Sequence, residues 1–590
     1  MPKKLDFLSK KQLITNKKGI RAVQLADKIA TLITQGLAHH QLGELEQARD
    51  YYKNILLLEP EHFDALQLLG ALAMQNKAWE ESLELLTKAL KLKNTNATVY
   101  NNFGLVQHEL QQLEGALISY DKAIGLQQDY ALAYNNRGSV LHDLKQLDTA
   151  LESYNRAIIL QPGYVEPYYN RGVVQSELKR LPEALESYNK AIALKINYPE
   201  AYNNRGSVFE ELGQLEKALA NYIKATQLNQ NFAMAYVNQG IVLKELKQIE
   251  ASLACYEKAI HLKPVFPEAF WNQSLTLLLK GELERGFSLY ESGWLTKQRG
   301  IQRTFTKPLW LGKDSLVNKT ILLYSEQGLG DTLQFCRYAS LVAKLGAQVI
   351  LEVQKPLKNV LFTLPGIHQL IVEGEELPAF DYQCPLMSLP LAFKTTLETI
   401  PNRVPYLFAD PDKDRYWRDK LGTTHKLKVG LVWSGGFRPN QPAVWAVNER
   451  RNLPFHHWSA LKDVDVFFYS LQKGDPAESE FKQIMQLEWN GPSIIDYTAE
   501  LHDFADTAAL INNLDLIISV DTSTAHLAAA MGKPVWLLSR FDGCWRWLLN
   551  RDDSPWYPSI RLFRQREPGN WNEVIQKIRA QLTQKDFLVK

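Results

Sequence analysis

The sequence predicts an α-helical solenoid in the first half of the chain and two doubly wound, Rossmann-like α/β domains in the second. Three observations carry this. A 34-residue period runs without insertion from Ile29 to Gly300. From Lys319 onward, short apolar runs alternate with helical stretches, and the runs end in glycine- or hydroxyl-bearing turns. The chain has 590 residues, too many for one compact core, so two or more domains are expected.

Residues 1–28 come first, as a basic arm carrying Lys3, Lys4, Lys10, Lys11, Lys17, Lys18 and Arg21. A charged terminus of this kind is expected to be solvated and partly disordered. The net charge of only +2 argues against bulk nucleic-acid binding. No apolar run approaches the roughly 18 residues that span a bilayer, and no apolar signal core follows the first basic residues. A cytoplasmic location without a transmembrane segment is therefore expected. Cys255, Cys336, Cys384 and Cys544 lie far apart, with no CxxC pair and no His/Cys cluster, so neither a disulfide framework nor a metal site is expected.

Residues 29–300 divide into eight units beginning at 29, 63, 97, 131, 165, 199, 233 and 267, and AYNNRGSV recurs letter for letter at 133–140 and 201–208. The eighth position is Gly36, Gly70, Gly104, Gly138, Gly172, Gly206, Gly240 and then Ser274. Position 20 stays small, from Ala48 to Gly286, and position 24 is tyrosine except at Leu86. Each unit offers two amphipathic stretches, with small residues where two helix axes approach closely. By period and by residue these resemble tetratricopeptide repeats. The resemblance implies a right-handed superhelix whose concave face binds extended peptide.

Position six is Thr34, Leu68 and then Asn102, Asn136, Asn170, Asn204, Asn238 and Asn272. An asparagine amide matches both the C=O and the N–H of a peptide group. The column resembles the asparagine ladder of O-GlcNAc transferases, which implies a polypeptide acceptor or partner in the groove. Hydrogen bonds between neighbouring repeats are the alternative use of the same side chains. The eighth unit departs from the pattern at Trp271, Ser274, Gly286, Gly293 and Trp294, as a terminal repeat does when it faces another domain. Residues 301–318, with Pro and Gly but no helical period, read as a linker.

The first α/β domain, 319–410, opens with the strand TILLY (320–324), the turn SEQGLGD (325–331), the helical run 332–346 and the strand AQVILEV. The second, 427–590, opens with LKVGLVWSGG and continues through FHHWSAL, VDVFFYSLQKG, SIIDYT, FADTAALINN and LDLIISVDTSTAH. Ligands of such sheets bind outside the carboxyl ends of the strands. At DTSTAH a strand runs directly into a helix whose first N–H groups and positive dipole end face outward, which makes an anion seat.

QGLGD, WSGG, RNLP (451–454) and DTSTAHLAAAMGKP, in this order, resemble glycosyltransferase family 9, the bacterial heptosyltransferases, which have the GT-B fold. The resemblance spans roughly residues 319–580. It implies that Asp521, Thr522, Ser523 and Thr524 hold the diphosphate of a nucleotide-sugar, with His526 as acid or ligand. Ser523 stands where many members have glycine. The same resemblance implies that Ser434, Gly435 and Gly436 touch those phosphates, with Gly328 and Gly330 of the opposite turn also on the donor. Arg451 stands where the family has lysine, and its planar fork grips a phosphate with two hydrogen bonds. Lys473 and Arg546 are further donor-side candidates. Arg546 lies in FDGCWRWLLNRDDSPWYPSIRLFRQ (541–565), which reads either as pocket lining or as a tryptophan-rich core seam. Asp331 is implied as the general base for the acceptor hydroxyl, although an aspartate there also suits a helix cap.

The expected function is transfer of a sugar from a nucleotide-sugar to an acceptor hydroxyl by an inverting, metal-independent displacement. The nucleotide-sugar is a substrate, and no cofactor is expected. The alternative is a non-catalytic repeat scaffold with a degenerate transferase domain. A dinucleotide-dependent oxidoreductase is excluded, because no GxGxxG opens a βαβ unit.

Overall fold

The structure, a computed structural model, describes residues 3–436, 445–487 and 489–584, with the side chains among them except 3–20 and 445–447. It divides into two compact units, Met1–Gln214 and Leu215–Lys590. The break therefore falls inside the sixth repeat and not after residue 300, because the last repeats share a core with the α/β half.

In the first unit the expected disordered arm is instead helical, as one helix runs through Lys3–Gln41. No proline interrupts that stretch, and its Lys, Leu, Gln and Ala residues are good helix formers. Later repeats begin their first helix at Phe63, Ala97, Ala131, Val165 and Pro199, each 34 residues after the last. A tyrosine ring fills the space above the position-eight glycines Gly36, Gly104, Gly138, Gly172 and Gly240. A Cβ on Gly104, Gly138 or Gly172 would lie 2.9, 2.5 or 2.8 Å from Tyr120, Tyr154 or Tyr188. In the second repeat the occupant is Leu86, 2.8 Å from a Cβ on Gly70, which accounts for the paired departure in sequence.

Position 15 of every repeat in the chain adopts left-handed backbone. Its residues are Gly43, Lys77, Gln111, Lys145, Lys179, Gly213, Lys247 and Gly281. This residue reverses the chain after the first helix, and its neighbours return their N–H groups to that helix, as in Gln146 N to Leu141 O at 2.8 Å.

The second unit holds the last repeats and two parallel sheets. The first sheet comprises β1 (Thr320–Tyr324), β2 (Gln348–Val353), β3 (Ile367–Val372) and β4 (Tyr382–Pro385), in the order β3-β2-β1-β4. The second comprises β5 (Lys428–Val432), β6 (Phe467–Ser470), β7 (Ile494–Asp496), β8 (Leu516–Val520), β9 (Val535–Ser539) and β10 (Ile560–Arg564), in the order β10-β9-β8-β5-β6-β7. Every adjacent pair is parallel. Strand order reverses between β5 and β8 in one sheet and between β1 and β4 in the other. Such reversals open the crevice where ligands bind. β8 and β9 are buried along their whole length, because both sheet faces are covered.

Two expectations are corrected here. The helix expected over 332–346 begins earlier, at Leu329, and breaks at the 3-10 turn Cys336–Tyr338. There the buried Arg337 bonds Gln334 O and reaches across to Trp556 O at 2.7 Å. The linker is also not a free tether. Trp310 is buried, and its backbone N–H bonds Gln383 O at 2.9 Å, so this stretch lies along the edge of β4.

The eighth repeat docks by aromatic contact. Phe287 meets Phe335 and Trp545 edge-on, with ring centroids 6.5 and 5.6 Å apart. The fully buried Arg299 side chain bonds Glu291 at 2.7 Å and Glu326, just past β1, at 2.8 Å. Among the described helices, none is long and apolar enough to cross a membrane. All four cysteines are free.

Candidate functional site

A cleft of about 650 Å³ opens at the carboxyl ends of both sheets. It brings together Gly328, Gly330, Asp331, Ser434, Gly435, Gly436, Arg451, Lys473, Asp521, Thr522, Ser523, Thr524, His526 and Arg546. These residues come from the loops after β1, β5, β6 and β8 and from the segment beyond β9. Fold topology, not sequence proximity, makes them neighbours.

The helix Ser523–Ala530 starts directly after β8, with Thr522 as its N-cap. Thr522 Oγ1 accepts the Ala525 N–H at 3.4 Å and lies 3.0 Å from Ser519 Oγ. The first N–H groups of the helix have no intrahelical partner by geometry, and they open on the cleft with the positive end of the dipole. Opposite, the helix Leu329–Phe335 approaches so closely that a Cβ on Gly330 would sit 3.0 Å from His526 Cδ2. Glycine at 330 is what permits this approach.

The loop after β5 is held by side chains that sequence reasoning missed. Gln472 Oε1 accepts the N–H groups of Trp433 and Ser434 at 3.1 and 2.9 Å. Asn452 Oδ1 accepts the Gly435 N–H at 2.9 Å. Arg451 covers Gly435 so tightly that an added Cβ would run into its guanidinium, and its Nη2 bonds Asn448 Oδ1 at 2.7 Å. Lys473 lines the cleft and donates to Thr498 O at 2.8 Å. Arg540, also missed, lines the cleft from the first position after β9. Its signal was available, since it follows an apolar run as Ser434, Lys473 and Asp521 do. The cleft is thus rich in arginine and lysine, as an anion site requires.

The two catalytic candidates look different from their sequence description. Asp331 is the third residue of its helix, where Oδ2 accepts the Gly328 N–H at 2.9 Å. Its Oδ1 pairs with Arg546, whose Nε also bonds Gln334 Oε1 at 2.8 Å. The cap role and the cleft position therefore coexist. His526 is 4% exposed, stacks on Trp547, and places Nδ1 3.0 Å from the Tyr557 hydroxyl. Burial pushes its imidazole down to about 4. This corrects the expectation of a proton-carrying acid, because at neutral pH the ring is uncharged. The Trp/Arg segment is both things at once, as Trp545, Trp547 and Trp556 are buried core and Arg546 faces the cleft.

The asparagine column makes bonds among the repeats themselves. Asn170 Nδ2 donates to Asn135 Oδ1 at 3.0 Å, and Asn136 Nδ2 donates to Asn101 Oδ1 at 3.1 Å. Asn135 and Asn101 donate in turn to Asn136 and Asn102, each at 3.4 Å. Five amides from three repeats thus form one chain. Asn204 instead meets Tyr169 OH at 3.0 Å, and Asn272 bonds Glu268 O in its own helix at 2.8 Å. Asn102, Asn136, Asn170 and Asn204 are therefore engaged between or within repeats, which fixes their register. Among the described residues, no group of three or more His, Cys, Asp or Glu side chains converges as a metal site.

Comparison with known proteins finds repeats along the first part of the chain and a transferase match within the α/β half. Tetratricopeptide-repeat families match residues 33–97, 97–130, 138–179, 174–213, 199–232 and 233–266. Glycosyltransferase family 9 (heptosyltransferase) matches residues 499–538, the segment that contains β8 and the helix after it. Protein FlbA of Caulobacter vibrioides is 32% identical over 304 residues, 47% of this chain and 48% of its own. The match thus spans about half the length of that relative. Among solved structures, YrrB, described as a TPR protein with an unusual peptide-binding site, is 27% identical over 32% of this chain and 98% of its own, with a TM-score of 0.28. A tetratricopeptide repeat protein from Parabacteroides merdae is 19% identical over 42% of this chain and 99% of its own, with a TM-score of 0.36.

Proposed function

We propose that this chain, tetratricopeptide repeats joined to an α/β half that matches glycosyltransferase family 9, transfers a sugar from a nucleotide-sugar to an acceptor hydroxyl while its repeats hold a protein. One observation carries the reading. Fourteen residues nominated from five separate segments of the α/β half line a single cationic cleft at the strand ends of two parallel sheets.

In this reading the N-terminus of Ser523–Ala530, the Ser434–Gly436 loop and Arg451 hold the donor diphosphate. Arg540 and Lys473 add positive charge as the leaving group departs, so no metal is required. Asp331 faces the anion seat across the cleft. Each carboxylate oxygen keeps a second lone pair beyond its bond to Gly328 or Arg546, and through it Asp331 takes the proton of the acceptor hydroxyl. Attack from the side opposite the diphosphate inverts the anomeric centre. His526, uncharged, serves as a neutral donor or packing group.

A second reading has its own observation. Both Asp331 oxygens are already engaged, as in a site that binds nucleotide-sugar without turnover. Incubation with UDP-, GDP-, ADP- and CMP-sugars, followed as hydrolysis or transfer, separates the two. The transferase reading expects turnover with at least one donor, lowered roughly 10²- to 10⁴-fold in Asp331→Asn with donor binding retained. Binding without turnover establishes the scaffold, and absence of both refutes the cleft as a donor site.

A further inference from the structure

The donor-side rim of the cleft is fastened to the seventh repeat. Arg450, the neighbour of Arg451, places Nη2 3.2 Å from Glu245 Oε1 and 3.2 Å from Asp542 Oδ2. Asp542 also takes Arg540 Nε at 3.0 Å, and Arg540 lines the cleft. Two residues past Glu245, the Lys247 ammonium lies 3.6 Å from the centroid of the Phe541 ring. The left-handed turn at Lys247, φ 61°, presents both side chains on one short stretch. The side chains of Glu245, Asp542 and Arg540 are 14%, 12% and 16% exposed and that of Arg450 is 36%, so solvent screens the carboxylate side of this chain of charges less than a surface pair.

We propose that Glu245 is a positioning residue of the donor site. With Lys247 as a second anchor, it immobilises Arg450 and so sets where Arg451 and Arg540 stand over the diphosphate seat. The inference rests on the reading of the cleft as that seat. The mechanism is local. Arg450 and Arg451 are consecutive at the end of one short helix, Trp445–Arg451, so fixing one side chain fixes the backbone that carries the other. The turn of a repeat thereby becomes part of the architecture of the α/β site.

The sign of the effect separates positioning from plain electrostatics. Removing a carboxylate near an anion site raises anion affinity through Coulomb's law, whereas loss of positioning lowers it. The test uses the full chain, isothermal titration, and inorganic pyrophosphate as a probe that needs no knowledge of the base. UDP, GDP, ADP and CDP are titrated alongside. Glu245→Ala and the nearly isosteric Glu245→Gln are both expected to weaken pyrophosphate binding by at least about threefold, with circular dichroism unchanged. In an Arg451→Ala background, titrated at higher concentration, removing Glu245 has a smaller effect, because only the route through Asp542 and Arg540 is left. Unchanged or tighter binding in both Glu245 variants overturns the proposal. An equal loss in both backgrounds overturns the route through Arg451. Native protein that binds neither pyrophosphate nor any of the nucleotides overturns the reading of the cleft and this inference with it, whereas native binding with unaffected variants overturns this inference alone.

Discussion

Protonation of His526 should work against folding. Its imidazole is buried and lowered from the ordinary 6.5 to about 4, chiefly by burial. In the unfolded chain it takes up a proton near 6.5, but in the folded chain only near 4. The histidine therefore contributes stability that is fully present above pH 6.5 and is lost as the pH falls through 4. The gap of about 2.5 pH units, at about 1.36 kcal/mol each, corresponds to about 3 kcal/mol. The assay is urea unfolding followed by tryptophan fluorescence, because of the 14 tryptophans only Trp79 precedes the second unit. Carboxylates also titrate in this range, so the readout is the difference between the native chain and His526→Gln, with His526→Phe as a second variant. Native stability should fall more steeply than that of the variants between pH 6.5 and 4, by about 3 kcal/mol in total. Parallel curves would show that His526 titrates normally, and would reopen its role as a proton donor in the cleft.

Two predictions concern the repeats. Asn101→Ala removes the amide that both accepts from Asn136 and donates to Asn102, and should cost about 1–2 kcal/mol in thermal or urea unfolding followed by circular dichroism. Asn102→Ala ends the chain one link earlier and should cost less; the reverse order would refute the amide chain. Lys145→Gly relieves a left-handed residue, φ 59°, and should stabilise the array by up to about 1 kcal/mol. Its ion pair with Glu177, at 3.5 Å and with Lys145 71% exposed, is too solvated to offset that gain, so a destabilised variant would refute the strain argument.

What the sequence determined by itself was local or periodic. The 34-residue period, the glycine that a ring needs at position eight, and the strand-turn-helix alternation all follow from forces acting within about one repeat or one βα unit. Each is therefore written in consecutive letters. Several cleft residues were legible because they follow an apolar run, and strand ends are where α/β sheets bind ligands, whereas Arg451 and the roles of the set came from the family resemblance. What the sequence withheld were the partners. The asparagine column at position six was visible, but Asn136 finds Asn101, 35 residues away in another repeat. Asp331 finds Arg546 at a separation of 215 residues, and Glu245 finds Arg450 at 205. Burial of His526 under Trp547 and Tyr557 likewise depends on how the segment beyond β9 folds back over the helix that starts after β8. A side chain's chemistry is carried by its own letter, but its charge state and its partners depend on what packs around it. Only the tertiary structure decides that, because desolvation and hydrogen bonding act through space and not along the chain.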